Sequence, residues 1–285
     1  MKKHLFFVLT ICAITTAFTQ NKKLPEIGIA ENLKNDSLLS AAGYRYLVES
    51  ISKLISPKSV TEEQFNQNVQ HIKSLKTSLY AVNVFIPGEL KLVGPEVDER
   101  AIFHYAEEVF KRCNRVHVDL IVWGSGGARR VPDGFDQAKA KEQFISIAGK
   151  VAERAKQYNI TLALENLNST ETNFITTLAE ALEVAKKVNH SHFRLCADLY
   201  HMLKENEPAS VIEQTKRYLV HCDIAEKENR TPPGTVGDDF KPYLMALKRI
   251  DYRGKIILEC RWENLGKQAQ PALRYLEKEI QAVYK

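Results

Sequence analysis

Short apolar segments alternate with longer amphipathic segments along almost the whole chain, and this alternation limits the fold more than any other feature. Eight apolar segments have the length of β-strands: Ile27–Ala30, Tyr44–Glu49, Leu79–Phe85, Val118–Trp123, Ile160–Glu165, Phe193–Asp198, Leu219–Ile224 and Lys255–Cys260. Most of them lack regular polar alternation, which is typical of parallel strands that helices cover. The sequence therefore predicts a parallel sheet with a helical outer layer.

The amphipathic segments between these strands have the apolar spacing of helices. They are Glu62–Lys76, Glu99–Arg112, Gln137–Gln157, Thr177–Val188, Ala209–Tyr218, Phe240–Arg249 and Leu265–Tyr284. Thr61, with Gln64 three residues later, has the sequence of a capping box at the start of the first of them. Eight strand-helix units in about 260 residues fit a closed (β/α)8 TIM barrel better than an open, doubly wound sheet. No linker-like segment interrupts the series, so residues 21–285 are predicted to form one α/β domain.

The first twenty residues have the composition of a secretory leader. Lys2, Lys3 and His4 precede the apolar run LFFVLTICAITTAF. This run is shorter than the about 20 residues that a membrane-spanning helix needs, and a basic start before a short apolar run is typical of a signal peptide. We therefore predict that residues 1–20 are a cleaved signal peptide and that the protein is exported to the periplasm. An uncleaved anchor and a lipid-modified Cys12 are the less favoured alternatives.

Charge and cysteine content fit an exported globular protein. The net charge is +5 and falls to +3 without Lys2 and Lys3, which is too small to predict binding to nucleic acid or a membrane surface. The mature chain would keep Cys113, Cys196, Cys222 and Cys260. These cysteines are widely spaced, form no CxxC pair, and three of them fall in predicted strands. Buried free thiols are therefore favoured over disulfides.

The carboxyl ends of the strands carry the predicted chemistry, because functional side chains of a (β/α)8 barrel come from there. Four successive strands each place a metal-competent side chain at this end: Glu165, Asp198, His221 and Glu259. Side chains alternate along a strand, which puts Thr161, Ala163 and Glu165 on one face. A single strand-end carboxylate is usually a helix cap or a solvated charge. Four inward ones on consecutive strands are a different case, since unpaired buried charge is costly and a shared cation removes the cost.

Three carboxylates and one imidazole suit one Mn2+ or Mg2+ ion, with Co2+ or Zn2+ as alternatives. A cation that binds the carbonyl and the neighbouring hydroxyl of a sugar stabilises an enediolate. A nearby carboxylate then removes the proton α to the carbonyl. Glu165 and Glu259 lie at opposite ends of the ligand arc, so a substrate between them could be reached on both faces. Epimerisation, isomerisation and β-elimination from a glycoside all begin with this proton abstraction.

Several motifs resemble the xylose-isomerase-like barrel superfamily of sugar isomerases and epimerases. They are GSGGARRVPDGF after the fourth strand, ALENLN, ADLYH, HCDIAEKENRTPPG and LEC. In the ketose 3-epimerases of this family, the residues that match Glu165, Asp198, His221 and Glu259 bind one divalent metal, and the two glutamates act as acid and base. The resemblance also implies substrate contacts for His201 and Arg230. The stretch between His221 and Arg230 is longer here than in those enzymes.

Four further residues are weaker candidates for substrate contacts. Glu49 ends the second strand and could reach the site or form a structural ion pair, and Asn168 could orient a ligand or shape a turn. Trp123 and Trp262 could form an apolar wall for a sugar face or could serve packing alone. The glycine-rich run 124–127 lacks the Lys-Ser/Thr pair of a P-loop, so a tight turn is favoured over a phosphate cradle.

These observations predict a divalent-metal-dependent isomerase or epimerase that acts on an unphosphorylated keto-sugar, because sugar phosphates are mostly cytoplasmic. A lyase or hydrolase that cleaves 3-keto-glycosides by β-elimination is the alternative. Two classes are less favoured. An abasic-site endonuclease needs three metals and more histidines than this chain offers, and the mild charge argues against DNA; the other class is a non-catalytic sugar-binding protein. The predicted partner is a small sugar or glycoside, without nucleic acid and without a stable membrane span in the mature form. A homo-oligomer stays open.

Overall fold

The computed structural model describes residues 23–285, and the predicted signal peptide and Cys12 lie outside the described residues. Eight parallel strands close into a barrel in sequence order, which confirms the predicted (β/α)8 fold. The strands are β1 (Glu26–Ala30), β2 (Tyr46–Ser50), β3 (Ser78–Asn83), β4 (Leu120–Trp123), β5 (Thr161–Glu165), β6 (Phe193–Asp198), β7 (Leu219–Ile224) and β8 (Lys255–Leu258). The predicted bounds of β6 and β7 are those observed.

Helices of very different length surround the barrel. They are α1 (Asp36–Ala42), α2 (Ile51–Leu54), α3 (Glu62–Lys73), α4 (Glu99–Arg115), α5 (Gly126–Arg129), α6 (Gln137–Gln157), α7 (Leu178–Val188), α8 (Leu199–Lys204), α9 (Ser210–Glu213), α10 (Lys241–Arg249) and α11 (Leu265–Tyr284). The predicted capping box at α3 is present, with Thr61 and Gln64 satisfying each other's backbone N–H groups. No helix in residues 23–285 is long and apolar enough to cross a membrane.

The helix predicted before β7 is longer than the helix observed there. Ala209–Tyr218 was expected to be helical, but α9 ends at Glu213 and turns follow. The Thr215 hydroxyl donates to the carbonyl of Ile212 at 2.7 Å, and the Thr215 carbonyl accepts from the backbone of Leu219 at 3.0 Å. A threonine hydroxyl competes in this way with the helical backbone pattern, which explains the early end of α9.

Two apolar layers hold the fold together. The barrel interior is filled by a small cluster that includes Ala163, Cys196 and Ile257, while Leu162 and Leu164 join the larger cluster between strands and helices. The predicted alternation on β5 and β8 is therefore confirmed. Four cysteines in the described residues are free thiols, namely Cys113, Cys196, Cys222 and Cys260, as the sequence predicted.

Candidate metal centre

The barrel strands bring the predicted carboxylates to one end of the closed sheet. Glu165 and Asp198 are the last residues of β5 and β6, and both are buried. Glu259 follows β8 directly, and its backbone N–H donates to the carbonyl of Ile224 at 3.2 Å. This bond continues the β7–β8 ladder by one residue, so the Glu259 side chain keeps the inward direction that the alternation predicted.

One carboxylate oxygen from each of Glu165, Asp198, Asp223 and Glu259 lies within 4.8 Å of the other three. Three of these residues were predicted as ligands and Asp223 was not. The predicted ligand His221 lies in a different group with Cys196 and Asp223. We call the four carboxylates the carboxylate group.

The register between β6 and β7 explains the position of His221. Cys196 pairs with His221 and Asp198 pairs with Asp223, so His221 lies two residues deeper in the barrel than the level of Asp198. Both His221 and Asp223 point inward, because they are two residues apart on one strand. The alternation in the sequence therefore predicted the inward direction of His221 correctly. It could not predict how deep along the barrel axis His221 lies. Counting two residues further toward the strand end would have found Asp223.

Arg230 is the cation that faces the carboxylate group. Its Nη2 donates to Glu259 and lies 3.3 Å from Oδ2 of Asp198, its Nε donates to the Glu259 carbonyl at 2.9 Å, and its Nη1 lies 3.7 Å from Glu171. These carboxylates raise the pKa of Arg230 against the effect of burial. Arg230 thus reaches the site, as the resemblance implied. The loop that carries it has a positive φ at Arg230 itself.

Burial dominates the proton affinity of Glu259 and Asp198. It raises the pKa of Glu259 to about 8, although the Arg230 charge acts in the opposite direction. Burial likewise raises the pKa of Asp198 to about 6 against the charges of His201 and Arg230. Asp223 is different: burial would raise its pKa, but the charge and hydrogen bond of His221, the Cys196 hydrogen bond and the Arg230 charge together lower it. Carboxylates that share one low-dielectric site titrate apart in this manner.

His201 and Asn168 act as a pair. The Asn168 amide Nδ2 donates to Nδ1 of His201 at 2.7 Å, while the Asn168 Oδ1 accepts from the backbone and the hydroxyl of Thr170. Because its oxygen already accepts these two hydrogen bonds, Asn168 turns its NH2 group toward the His201 ring. The opposite ring nitrogen, Nε2, then carries the hydrogen and lies 3.3 Å from Asp198 and 3.6 Å from Glu165. Asn168 therefore both shapes the turn and orients His201.

Asn83, which the sequence analysis did not single out, and Gly124 of the glycine-rich run support the glutamates. The Asn83 Nδ2, at the end of β3, donates to Oε1 of Glu259 at 2.9 Å. Gly124 lies so close to Glu165 that a Cβ added there would be 2.4 Å from Oε2. The glycine after β4 thus leaves room for the Glu165 carboxylate, which a larger residue at position 124 would displace. The Ser125 hydroxyl accepts from the backbone of Ile86 at 2.8 Å, which supports the tight-turn interpretation of the glycine-rich run.

Glu49 and Trp123, two of the weaker candidates for substrate contacts, have partners that belong to the fold. The Glu49 carboxylate accepts from the backbone N–H groups of Leu33 at 3.1 Å and Ser50 at 2.9 Å. Trp123 is fully buried and packs against Phe85, Phe144 and Phe193, which corrects its prediction as a substrate contact. It shares the outward side of β4 with Ile121, while Leu120 and Val122 face the barrel interior.

Trp262 is partly buried and packs against the apolar layer outside the barrel. It follows β8 by only a few residues, but it is not among the residues that line the clefts at the carboxylate group. The described structure therefore gives Trp262 the packing role and leaves the rim to other side chains.

Two adjoining clefts open onto the carboxylate group. The first has a volume of about 250 Å3 and is lined by Gly124–Gly127, Glu165, His201, Arg230 and Glu259, among others. The second has a volume of about 340 Å3 and lies beside Glu49, Lys53 and Arg261. Asn83, Val84, Arg230 and Glu259 line both, so the clefts meet at Glu259. Val84 is 49% exposed at this junction, with a positive φ that is unusual for a β-branched residue.

The loop after β7 is fixed from inside by Glu226, which is fully buried. Its carboxylate accepts backbone N–H groups from four residues of the loop, Gly234, Thr235, Val236 and Gly237. It also accepts from the Thr231 hydroxyl at 3.0 Å. Glu226 lies in the longer stretch between His221 and Arg230 and ties this stretch to the loop residues 231–237.

The donors of the carboxylate group fit a divalent ion. If all four carboxylates were ionised, they would carry more negative charge than Arg230 balances, and unpaired buried charge is costly; the raised pKa values of Glu259 and Asp198 express this cost. The His201 Nε2 is buried and makes no hydrogen bond with the described residues, although it points at this group. Oxygen donors of this kind are those of Mn2+ and Mg2+ sites. Glu165, Asp198 and Glu259 would hold the ion, together with a residue of β7.

A model of the xylose isomerase-like TIM barrel family matches residues 37–280 of the chain. The chain belongs to this family. Among relatives, a ketose 3-epimerase from Arthrobacter globiformis is 35% identical over 112 residues, a match that spans 39% of this chain and 38% of that protein. A D-psicose 3-epimerase from Ruminiclostridium cellulolyticum is 26% identical over 76% of this chain and 78% of its own length.

Solved structures show the same family fold. An L-ribulose 3-epimerase has a TM-score of 0.78 at 17% identity and covers 91% of this chain and 96% of its own. A 3-keto-D-glucoside 4-epimerase from E. coli has a TM-score of 0.74 at 18% identity, with 89% and 99% covered. At this level of identity the likeness to the solved structures establishes the fold alone. The two sequence relatives named above are enzymes that act on sugars.

Proposed function

We propose that this member of the xylose isomerase-like family is a divalent-metal-dependent epimerase of an unphosphorylated keto-sugar. The observation that carries the proposal is the position of Glu165 and Glu259. Both belong to the carboxylate group, and both line the first cleft. The 3-epimerase activity of the sequence relatives supports the same reaction class.

Each residue has a role that follows from its contacts. A bound divalent ion would supply the positive charge that stabilises an enediolate oxygen. One glutamate removes the proton α to the carbonyl, and the other returns a proton to the opposite face. Asn83 and Arg230 hold Glu259 in place. The His201 Nε2–H points into the site from Asn168 and donates to a substrate oxygen.

The charge around the first cleft supports an unphosphorylated substrate. Glu165, Glu171 and Glu259 line the cleft, and Arg230 is the cation among its lining residues, already paired with carboxylates. A phosphate would therefore meet mainly like charge. Export through the leader of residues 1–20, which we also propose, agrees with a free sugar. N-terminal sequencing of the protein from a periplasmic extract tests the export, and a chain that starts at Met1 in the cytoplasm would refute it.

Turnover in deuterated water tests the reaction. The Mn2+-loaded protein is incubated with ketohexoses and ketopentoses, and both epimer formation and deuterium at the carbon next to the carbonyl are measured. We expect both in the wild type. E165Q and E259Q should lose epimer formation, because glutamine can neither accept nor return the proton on its face of the substrate. E49Q is the matched control, since Glu49 is also a strand-end glutamate but bonds the backbone. A wild type that binds Mn2+ and a ketose without deuterium uptake would mean that the protein is no epimerase.

The second cleft favours one further candidate, an enzyme that acts on 3-keto-glycosides. It adjoins the first cleft at Glu259, so a substrate with a second sugar or aglycone has room beside the reacting ring. The fold likeness to a 3-keto-D-glucoside 4-epimerase is compatible with this substrate class. The same proton abstraction then ends in β-elimination or in epimerisation. Incubation with 3-keto-glucosides separates the outcomes: aglycone release indicates a lyase or hydrolase, and a new epimer without release indicates an epimerase.

A further inference from the structure

The strand β7 offers two inward side chains to the site, and their levels differ. Asp223 pairs with Asp198 across β6 and β7, whereas His221 pairs with Cys196 below it. One Asp223 oxygen lies within 4.8 Å of an oxygen from Glu165, Asp198 and Glu259. His221 is fully buried, and no group that places it with these three residues was found among residues 23–285.

The His221 ring is held in contact with Asp223. Its Nε2 donates to Oδ1 of Asp223 at 2.9 Å, and the ring stacks on Tyr80 with a centroid distance of 5.7 Å and an interplanar angle of 16°. On the other side, the Cys196 thiol donates to Oδ2 of Asp223 at 3.1 Å. Two donors from deeper in the barrel therefore fix the Asp223 carboxylate, and the remaining lone pairs of its oxygens are free to bind from above.

A second observation, separate from the carboxylates, points to a ligand at this place. The His201 Nε2 is buried without a hydrogen-bond partner among the described residues, and it points at Asp198 and Glu165 from the side of the first cleft. Natural proteins pair nearly all such buried groups. The carboxylates and the His201 Nε2, which has ion-pair contacts but no hydrogen bond, together surround a position at which a cation and a substrate oxygen both find partners.

We propose that Asp223, and not His221, is the β7 ligand of the metal ion, so that four carboxylates and no imidazole from β7 bind it. This inference rests on the metal dependence in the proposed function. His221 is then a positioning residue: it holds Asp223 by a hydrogen bond, in the way that outer partners orient metal ligands. A site built from carboxylates favours hard ions such as Mn2+ and Mg2+ over softer ions that prefer imidazole.

Pulsed EPR of bound Mn2+ tests the ligand directly. An imidazole nitrogen that coordinates Mn2+ gives a strong nitrogen modulation of the electron spin echo, and a carboxylate gives none. The spectra of wild type, H221Q and H201Q are compared at equal Mn2+ occupancy. We expect the H221Q spectrum to match the wild-type spectrum, whatever His201 contributes. A nitrogen modulation that is present in the wild type and absent in H221Q would overturn the proposal.

Calorimetric titration of Mn2+ into the chelated protein gives the second readout. We expect D223N to lose more affinity than H221Q, whose loss should be about tenfold for an outer partner. Circular dichroism of each variant checks that it is folded. For a variant that does not fold, D223H replaces D223N, and it should raise the affinity for Co2+ relative to Mn2+ because it adds an imidazole at the ligand position. Equal Mn2+ affinity in D223N and wild type would refute the inference.

Failure of this inference and failure of the proposed function give different results. If His221 coordinates Mn2+ and the enzyme epimerises a ketose, the ligand assignment fails and the function stands. If Asp223 binds Mn2+ and no keto-sugar reacts, the ligand assignment stands and the function fails.

Discussion

Glu49 at the end of β2 and Glu259 after β8 both line the second cleft, yet their oxygens have different partners. Glu49 accepts two backbone N–H groups, from Leu33 and Ser50, and it thereby joins the turn after β1 to the end of β2. Glu259 accepts from the side chains of Asn83 and Arg230, beside three other carboxylates. A strand-end glutamate bound to backbone is part of the fold, whereas one surrounded by like charge needs a cation or a substrate. The partners of the oxygens, and not the position on the strand, separate the two roles.

The largest expected effect comes from exchanging the two glutamates for glutamine. E259Q should lose about 10²- to 10⁴-fold in turnover, which is the range of a missing acid or base. E49Q should retain turnover but weaken charge-assisted bonds of about 1.5–3 kcal/mol, which lowers Tm by roughly 2–4 °C for each kcal/mol. Turnover and thermal melting are measured on both variants. If E49Q is the inactive one, the distinction between the two glutamates is wrong.

The next effect concerns the space that Glu165 occupies. In G124A, the new Cβ would lie 2.4 Å from Oε2 of Glu165, so the carboxylate must move. Displacement of a reacting group by about 1 Å can cost about 100-fold in rate, and we expect a loss of this order with a folded protein. G149A is the control, because nothing lies within 4 Å of a Cβ at Gly149 in α6. Equal kcat in the two variants would show that Glu165 tolerates displacement.

A smaller effect is expected from Asn83. N83A removes the hydrogen bond of 2.9 Å to Oε1 of Glu259 but leaves the contacts of Arg230. A single hydrogen bond contributes about 1 kcal/mol, which corresponds to about a fivefold loss of kcat/KM. N66A provides a comparison, because Asn66 is exposed, contacts Arg115 and lines neither cleft. A loss in N83A as large as that in E259Q would indicate that Asn83 itself touches the reacting atoms.

The last effect concerns stability and not turnover: it is a pH dependence of the free energy of unfolding in the chelated protein. Burial raises the pKa of Glu259 from 4.5 to about 8 and that of Asp198 from 3.8 to about 6. The folded state therefore binds more protons than the unfolded state, and the free energy of unfolding falls as pH rises. The contribution of Glu259 is complete below about pH 4.5 and is lost as the pH passes about 8.

Urea unfolding at several pH values with a chelator measures this slope. In E259Q, the free energy of unfolding should change less with pH between about pH 6 and 8, because the amide does not titrate in this range. Saturating Mn2+ should remove the decline, since an ion that binds only the folded state stabilises it by mass action. A free energy of unfolding that rises between pH 6 and 8 in the chelated wild type would contradict the sign of these pKa shifts.

Much of the fold was predictable because it follows from local pattern. The apolar segments gave eight strands, and the end of β5 at Glu165 and of β6 at Asp198 agreed with the structure. The outward direction of Trp123 also follows from alternation with Leu120 and Val122, which face the barrel interior. Alternation decides which face a residue occupies, and this part of the site could be obtained from the sequence.

The level of a residue along the barrel axis could not be obtained in the same way. His221 and Asp223 share a face, and only the pairing of β7 with β6 puts Asp223 opposite Asp198. That register depends on the stagger of the whole closed sheet. The need for glycine at position 124 and the contact from Asn83 to Glu259 likewise arise from strands that are distant in sequence.

The buried carboxylate of Glu226 has a consequence for the thermodynamics of substrate capture. Because it binds the backbone N–H groups of four loop residues, the loop that follows Arg230 is immobilised when the chain folds. The loss of conformational entropy for these residues is then a cost of folding. A sugar that reaches Arg230 does not have to order this loop, and its association rate should therefore depend on diffusion and desolvation more than on closure of this segment.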